Sequence, residues 1–82
     1  MSSKRFEDLF PTYRSYAEHL ITEDLTSWLV TLLESPELIS ETEYANRVER
    51  AQELASALGL HWENIQAYLP NREYLAARIA AR

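Results

Sequence analysis

Hydrophobic residues recur at three- and four-residue steps along most of the chain, which is the period of an amphipathic α-helix. The clearest example is the segment 41–58. Its apolar stripe consists of Tyr44, Val48, Ala51, Ala55 and Leu58, with Leu54 at the edge. Ser40 and Glu43 have the spacing of a capping box and predict the start of this helix. Gly59 predicts its end as the left-handed C′ residue, and the apolar Leu60 completes a Schellman ending.

Near the start of the chain, the helical spacing of the apolar residues is interrupted by Pro11. A proline disfavours helical conformation at the residue before it and suits the first turn of a new helix. The pattern therefore predicts a short helix to about Leu9, a break, and a second helix from Pro11 to about Leu20.

A further helix is predicted over 23–34. Thr22 has the side chain of an N-cap, and acidic residues follow it in the first turn, where they favour the helix dipole. Ser35 and Pro36 predict the end of the helix near Glu34. Its apolar surface is wide, which is typical of a helix covered on more than one side, so we expect it to be central.

Two short helices are predicted after Gly59. The first covers His61 to Leu69 and ends before Pro70, and the second covers 72–81 with Asn71 as its N-cap. Residues 1–82 are therefore expected to form one all-α domain, a small bundle of four to five helices with orthogonal or irregular packing around helices 23–34 and 41–58.

Composition narrows the class of protein further. The chain has 82 residues and one glycine. It contains no cysteine, which excludes a disulfide scaffold and thiolate metal sites. No apolar run approaches the roughly 20 residues needed to cross a bilayer, and the N-terminus lacks the apolar block of a secretory signal. We therefore expect a cytoplasmic protein without membrane association. The net charge is −5 and most of the acidity lies in residues 1–40, so the chain is a poor general binder of phosphate.

The residues from Gln52 to Leu69 resemble the helix-turn-helix of phage repressors and many bacterial regulators. In that motif a small residue lies four positions before the turn glycine and an aliphatic residue lies six positions after it. Ala55, Gly59 and Ile65 match these three positions. The other buried positions of the motif are occupied here by Leu54, Leu58, Leu60 and Tyr68.

This resemblance implies binding to DNA through the helix that contains Ile65. The side chains it places near the bases are those of His61, Trp62, Glu63, Gln66 and Ala67. Gln66 suits adenine, and Arg47, Arg50 and Arg72 are the candidates for phosphate contacts. However, the candidate recognition helix contains no arginine or lysine, and Glu63 would meet phosphate repulsion. The alternative is an ordinary glycine C-cap between two packed helices, which produces the same spacing.

Catalytic and metal-binding patterns are lacking in the sequence. The two histidines, His19 and His61, are far apart and have no Glu-x-x-His partner. His19 is expected to be a surface residue near a helix end. There is no glycine-rich phosphate loop and no nucleophile elbow, so we expect no cofactor, no metal and no enzymatic activity.

A protein-binding role is the remaining interpretation. Two tryptophans and five tyrosines are more than a core of this size easily buries. Aromatic side chains and arginines are enriched at the centres of interfaces. The predicted partner-binding residues are Trp62, Tyr68, Tyr74 and Arg78. The sequence thus favours a small regulatory or adaptor domain that binds a protein partner or a second copy of itself, with a helix-turn-helix regulator as the alternative.

Overall fold

The computed structural model describes residues 12–82, which form four helices and no strand. These helices are α1 (Tyr13–Glu34), α2 (Glu41–Ala57), α3 (Trp62–Tyr68) and α4 (Arg72–Ala80). The predicted all-α class is confirmed. The short helix predicted to end at Leu9 and the predicted break at Pro11 lie outside the described residues.

Helix α1 is continuous where the sequence predicted two separate helices, so the predicted break before Thr22 is wrong. No proline or glycine occurs between Tyr13 and Glu34, and the Thr22 hydroxyl donates a hydrogen bond to the Glu18 carbonyl within the helix (2.8 Å). Thr12 is the actual N-cap, and its side chain accepts a hydrogen bond from the Ser15 backbone N–H at 3.0 Å.

His19 consequently lies within α1 and not near a helix end. Its Nε2 is 3.0 Å from the Glu23 carboxylate, one turn further along the same helix. The prediction that His19 is near a helix end fails because it depended on the break before Thr22.

The predicted helix start at Ser40 and the glycine ending are both confirmed. The Ser40 hydroxyl accepts a hydrogen bond from the Glu43 backbone N–H (3.1 Å), and the Glu43 carboxylate accepts one from the Ser40 N–H (3.2 Å). Gly59 has a φ of +71°, and the Leu60 N–H donates to the Ala55 carbonyl at 2.8 Å. This pattern is a Schellman motif, which satisfies carbonyls that the helix end leaves without partners.

The two short helices also end close to their predicted bounds. Helix α3 ends at Tyr68, two residues before Pro70, and α4 begins directly after Asn71. The Asn71 side chain accepts a hydrogen bond from the Tyr74 N–H at 2.9 Å, as an N-cap should.

The core is organised around α1, which contacts each of the other three helices. One buried cluster joins α1, α2 and α3 and consists of Leu25, Ala55, Leu60 and Ile65. A second cluster consists of Leu29, Leu32 and Ile39. Leu75 of α4 packs against this second cluster, and ion pairs join Arg72 to Glu41 and Arg82 to Glu34. Ile39 lies between helices, which is why helical periodicity did not identify it.

The apolar stripe of α2 is buried only along its middle. Val48, Ala51 and Ala55 face the first cluster, but Leu54 and Leu58 are exposed. The expectation that Leu58 belongs to the buried stripe is therefore wrong. Helix α1 and the Leu60–Ile65 segment pack against Val48, Ala51 and Ala55 and leave Leu54 and Leu58 only partly covered.

None of the helices within residues 12–82 combines the length and the apolarity required to cross a bilayer.

Candidate interaction surface

The turn between α2 and α3 has the packing expected of a helix-turn-helix at its three principal positions. Ala55 and Ile65 are fully buried in the cluster with Leu60, and Gly59 adopts the left-handed conformation of the turn. The expectation that the other motif positions are also buried is largely wrong. Leu54, Leu58 and Tyr68 were expected to be buried, but all three are exposed, and only Leu60 is buried.

The N-terminus of α3 is capped by a carboxylate from α1. Glu18 Oε2 accepts a hydrogen bond from the His61 backbone N–H at 3.0 Å, and the Asn64 side-chain amide lies 3.3–3.4 Å from both carboxylate oxygens. His61 itself makes no side-chain cap. A carboxylate is favourable at this end because the helix dipole is positive there. It also places negative charge where a recognition helix would approach the DNA backbone.

The residues predicted for DNA binding are distributed over three helices. His61, Glu63 and Gln66 are exposed at α3, as a DNA-reading surface requires. Arg72 lies on α4 and pairs with Glu41. Arg47 and Arg50 line a depression between α1 and α2, and no residue of α3 lines that depression. The predicted base-reading residues and the predicted phosphate-binding residues therefore lie on different helices.

The predicted protein-binding residues are also separated. Trp62 packs against the first cluster and is half-buried. Tyr68 and Tyr74 are 77% and 61% exposed. Arg78 donates a hydrogen bond to the Tyr74 hydroxyl at 3.1 Å, so Tyr74 and Arg78 do form a pair. Helices α3 and α4 each contact α1 and do not pack on each other.

A cluster of exposed leucines lies along the edge between α1 and α2, where the sequence predicted only phosphate contacts by Arg47 and Arg50. Leu20, Leu54 and Leu58 are 47%, 49% and 43% exposed. Leu20 and Leu54 line a shallow depression of about 330 Å³ together with Arg47 and Arg50, and Leu58 follows Leu54 by one helical turn. We call this surface the leucine–arginine patch, and it consists of Leu20, Leu54, Leu58, Arg47 and Arg50. In the sequence, the patch could have been inferred from the apolar stripe of α2, because that stripe is too wide for one neighbouring helix to cover.

The arginines in the patch and the nearby Arg14 have well-defined surroundings. The Arg47 guanidinium stacks on Trp28, with Cζ 3.5 Å from the ring centroid. Such a cation–π contact holds the guanidinium in place and contributes about 0.5–2 kcal/mol. Arg14 extends from α1 towards the turn, where its Nη2 lies 4.0 Å from the position that a Cβ on Gly59 would occupy. No residue within 12–82 forms an ion pair with Arg14, Arg47 or Arg50.

A groove with a volume of about 910 Å³ lies between α1 and α3. Every described residue that lines it carries a polar group: Ser15, Glu18, His19, Thr22, Glu23, Thr26, Ser27, Asn64 and Tyr68. Several of these groups bind one another. Glu18 caps α3, Glu23 contacts His19, and the Thr26 hydroxyl donates to the Thr22 carbonyl at 2.7 Å. Residues 12–82 contain no cluster of three or more His, Cys, Asp or Glu side chains arranged to hold a metal ion.

Within the described part of the chain two groups have shifted pKa values, and both belong to the contact between α2 and α4. Burial raises the pKa of the Tyr44 hydroxyl, and the positive charge of Arg72 opposes this effect only in part. The hydrogen bond to Glu41 raises the pKa of Arg72. Neither residue lines the groove or the leucine–arginine patch, so these shifts concern stability.

Comparison of the chain with models of protein families, with curated proteins and with solved structures finds no significant match. A function for this chain is therefore inferred from the residues on its surface.

Proposed function

We propose that this chain is a small cytoplasmic regulatory or adaptor domain, an irregularly packed bundle of four to five helices, that binds a protein partner and is not an enzyme. The observation that carries this proposal is the leucine–arginine patch. Three large apolar side chains remain about half exposed beside each other on one face of the molecule. A contiguous apolar surface rimmed by polar residues is typical of a protein-interaction site.

The energetics of the patch support binding. Covering the exposed half of one leucine is worth roughly 1 kcal/mol, so the three leucines together supply about 3 kcal/mol. Arginines at the edge add directional hydrogen bonds and are enriched in interfaces. These contributions suit a reversible complex, which is what a regulatory or adaptor domain needs.

The exposed tyrosines provide the second element of the proposal. Tyr68, Tyr74 and Arg78, together with the half-buried Trp62, remain the residues we propose for additional partner contacts, because rigid aromatic rings contribute large contact areas at low entropic cost. Tyr74 and Arg78 already form a pair on α4, whereas the leucine–arginine patch lies on α1 and α2. Two separate surfaces would allow the domain to contact two partners, or one partner and a second copy of itself.

The absence of catalysis is proposed from the chemistry of the side chains. The sequence has no cysteine, and its two histidines are separated by 42 positions. In the groove between α1 and α3, Glu18 is engaged by the backbone N–H of His61, and His19 contacts Glu23. These contacts stabilise the helices and favour a structural role for the groove residues.

Affinity capture from a cell extract, with the full chain as bait, tests the proposal. Leu54→Asp places a charge in the centre of the patch, and Leu38→Asp is a matched control because Leu38 is exposed in the loop between α1 and α2. We expect a protein that binds the wild type and Leu38→Asp and is lost with Leu54→Asp. Calorimetry with that purified protein should reproduce the loss. Identical captured proteins with all three baits, whose helicity is verified by circular dichroism, would refute a role of the patch in partner binding.

A helix-turn-helix regulator is the second candidate function. The buried Ala55 and Ile65 and the left-handed Gly59 favour it, because they match the packing of that motif. The seven residues of α3 and the Glu18 carboxylate at its N-terminus weigh against it. A gel-shift experiment with random duplex DNA at low salt tests this alternative. A salt-sensitive shift would support the regulator, whereas no binding at tens of micromolar supports the adaptor.

A further inference from the structure

We propose that the leucine–arginine patch binds an acidic amphipathic helix of a partner protein. The apolar side of that helix would cover Leu20, Leu54 and Leu58, and its carboxylates would meet the surrounding arginines. This inference rests on the proposed protein-binding function and specifies the chemistry of the partner.

Charge complementarity is the first argument. The protein carries a net charge of −5, yet the patch is bordered by Arg47 and Arg50, and Arg14 lies at the adjoining turn. Among residues 12–82, Asp24 is the one acidic residue that lines the same depression. The patch is therefore locally positive on an acidic molecule, and opposite charges across an interface steer encounter and fix orientation.

The shape of the patch is the second argument. Helix α1 contributes Leu20 and Ile21 to one wall of the depression, and α2 contributes Ala51 and Leu54 to the other. A depression between two helices accepts the apolar face of a third helix, whose side chains at i, i+3, i+4 and i+7 project on one side. The described residues contain no strand, so no strand edge is offered for pairing with an extended peptide.

Preorganisation is the third argument. The Arg47 guanidinium is held over the Trp28 ring at 3.5 Å, and therefore loses little rotamer freedom when a carboxylate binds. Arg50 is exposed and has no ion pair among residues 12–82, so a partner carboxylate would not have to displace an existing one. Both features favour a carboxylate as the group that approaches the patch.

A second copy of the chain fits the same surface less well. Two patches related by a two-fold axis would bring Arg47 and Arg50 of both copies together, with one Asp24 from each copy. Like charges at an interface oppose association. An acidic partner is therefore the occupant that the patch favours.

Titration of the full ¹⁵N-labelled chain with two synthetic peptides tests this inference. Both peptides have about 16 residues with leucines at i, i+3, i+4 and i+7, and they differ only in having glutamates or lysines at the flanking positions. We expect the glutamate peptide to shift the amide signals around Leu20, Arg50 and Leu54, with a Kd in the range of tens of micromolar. The lysine peptide should bind at least tenfold more weakly.

Charge-reversal variants give the matched control. The double substitution Arg14→Glu/Arg50→Glu should weaken binding of the glutamate peptide about tenfold, which corresponds to about 1.4 kcal/mol. Arg82→Glu changes the net charge by the same amount as a single reversal in the patch, because it reverses an arginine that follows α4 and pairs with Glu34, and it should leave the affinity nearly unchanged. Equal effects of a single reversal at Arg50 and at Arg82 would overturn the proposed contacts.

Several outcomes would overturn the inference. Equal binding of both peptides, binding of neither, or signal shifts away from the patch would each contradict an acidic helical partner. A dimer in sedimentation experiments that Leu54→Asp dissociates would make a second copy the occupant. Residues 6–10 of the chain itself have the sequence FEDLF, so markedly tighter peptide binding by Glu7→Gln/Asp8→Asn would make that segment the occupant. The capture experiment with Leu54→Asp remains a separate test of protein binding as such.

Discussion

Gly59 is the residue on which the turn between α2 and α3 depends, because its φ of +71° is unfavourable for any residue with a Cβ. We expect Gly59→Ala to lower the free energy of unfolding by about 1–2 kcal/mol. The cost arises from the backbone alone, because the nearest neighbour of an added Cβ would be Arg14 Nη2 at 4.0 Å. Gly59→Asn should lose less, since asparagine tolerates the left-handed conformation. Urea denaturation measures the stability of both variants. A loss in Gly59→Ala no larger than that in Ser56→Ala would contradict this account.

Glu18 is a second residue whose role can be tested singly, because it caps α3 from a different helix. Glu18→Ala removes the acceptor of the His61 N–H and of the Asn64 amide. Loss of an N-cap typically costs about 0.5–2 kcal/mol, and we expect a loss in this range by urea denaturation. Glu49→Ala is the control, since Glu49 is an exposed glutamate of α2. Equal losses in the two variants would show that the Glu18 hydrogen bonds contribute nothing.

At the scale of elements, α1 and α2 each present one buried and one uncovered apolar edge. Leu25 is 1% exposed and lies in the first cluster, whereas Leu54 is 49% exposed. The same substitution should therefore have very different effects. Leu25→Ala should cost about 2–5 kcal/mol, because it leaves a cavity, and Leu54→Ala less than about 1 kcal/mol. Thermal or urea denaturation measures the pair. A comparable loss in both variants would mean that Leu54 belongs to the core and would remove the basis of the patch.

At the scale of the whole molecule, the contact between the start of α2 and the start of α4 makes stability depend on pH in the alkaline range. Burial raises the pKa of Tyr44 in the folded state above its unfolded value of about 10. The folded protein therefore holds this proton after the unfolded chain has lost it. The stabilisation is fully present below about pH 10 and is lost as the pH rises through the folded pKa.

Denaturation with urea at pH 8 and at pH 11 checks this prediction. We expect the free energy of unfolding of the wild type to fall between these two values by more than that of Tyr44→Phe. Tyr13→Phe serves as the control because Tyr13 is 74% exposed. Identical pH dependence in the wild type and both variants would exclude Tyr44 as the group responsible.

The boundaries of the helices were predictable from the sequence wherever the interactions that set them are local. The Ser40–Glu43 capping box, the Schellman ending at Gly59 and Leu60, and the Asn71 cap each join residues a few positions apart. The same local reasoning failed at Thr22. A threonine hydroxyl can cap a new helix or donate to the carbonyl four residues earlier, and only the continuation of α1 decides between these roles.

The sequence by itself therefore determined the all-α class, the ends of α2, α3 and α4, and the apolar residues available for a core. Only the tertiary structure decided which of those residues are covered, because coverage depends on where a neighbouring helix crosses. Leu54 has the same periodicity as a buried residue, yet the edge of α2 on which it lies remains open. The contacts of Glu18 with α3 and of Arg47 with Trp28 also join different helices. Such long-range contacts depend on the arrangement of whole elements, which hydrophobic periodicity does not encode.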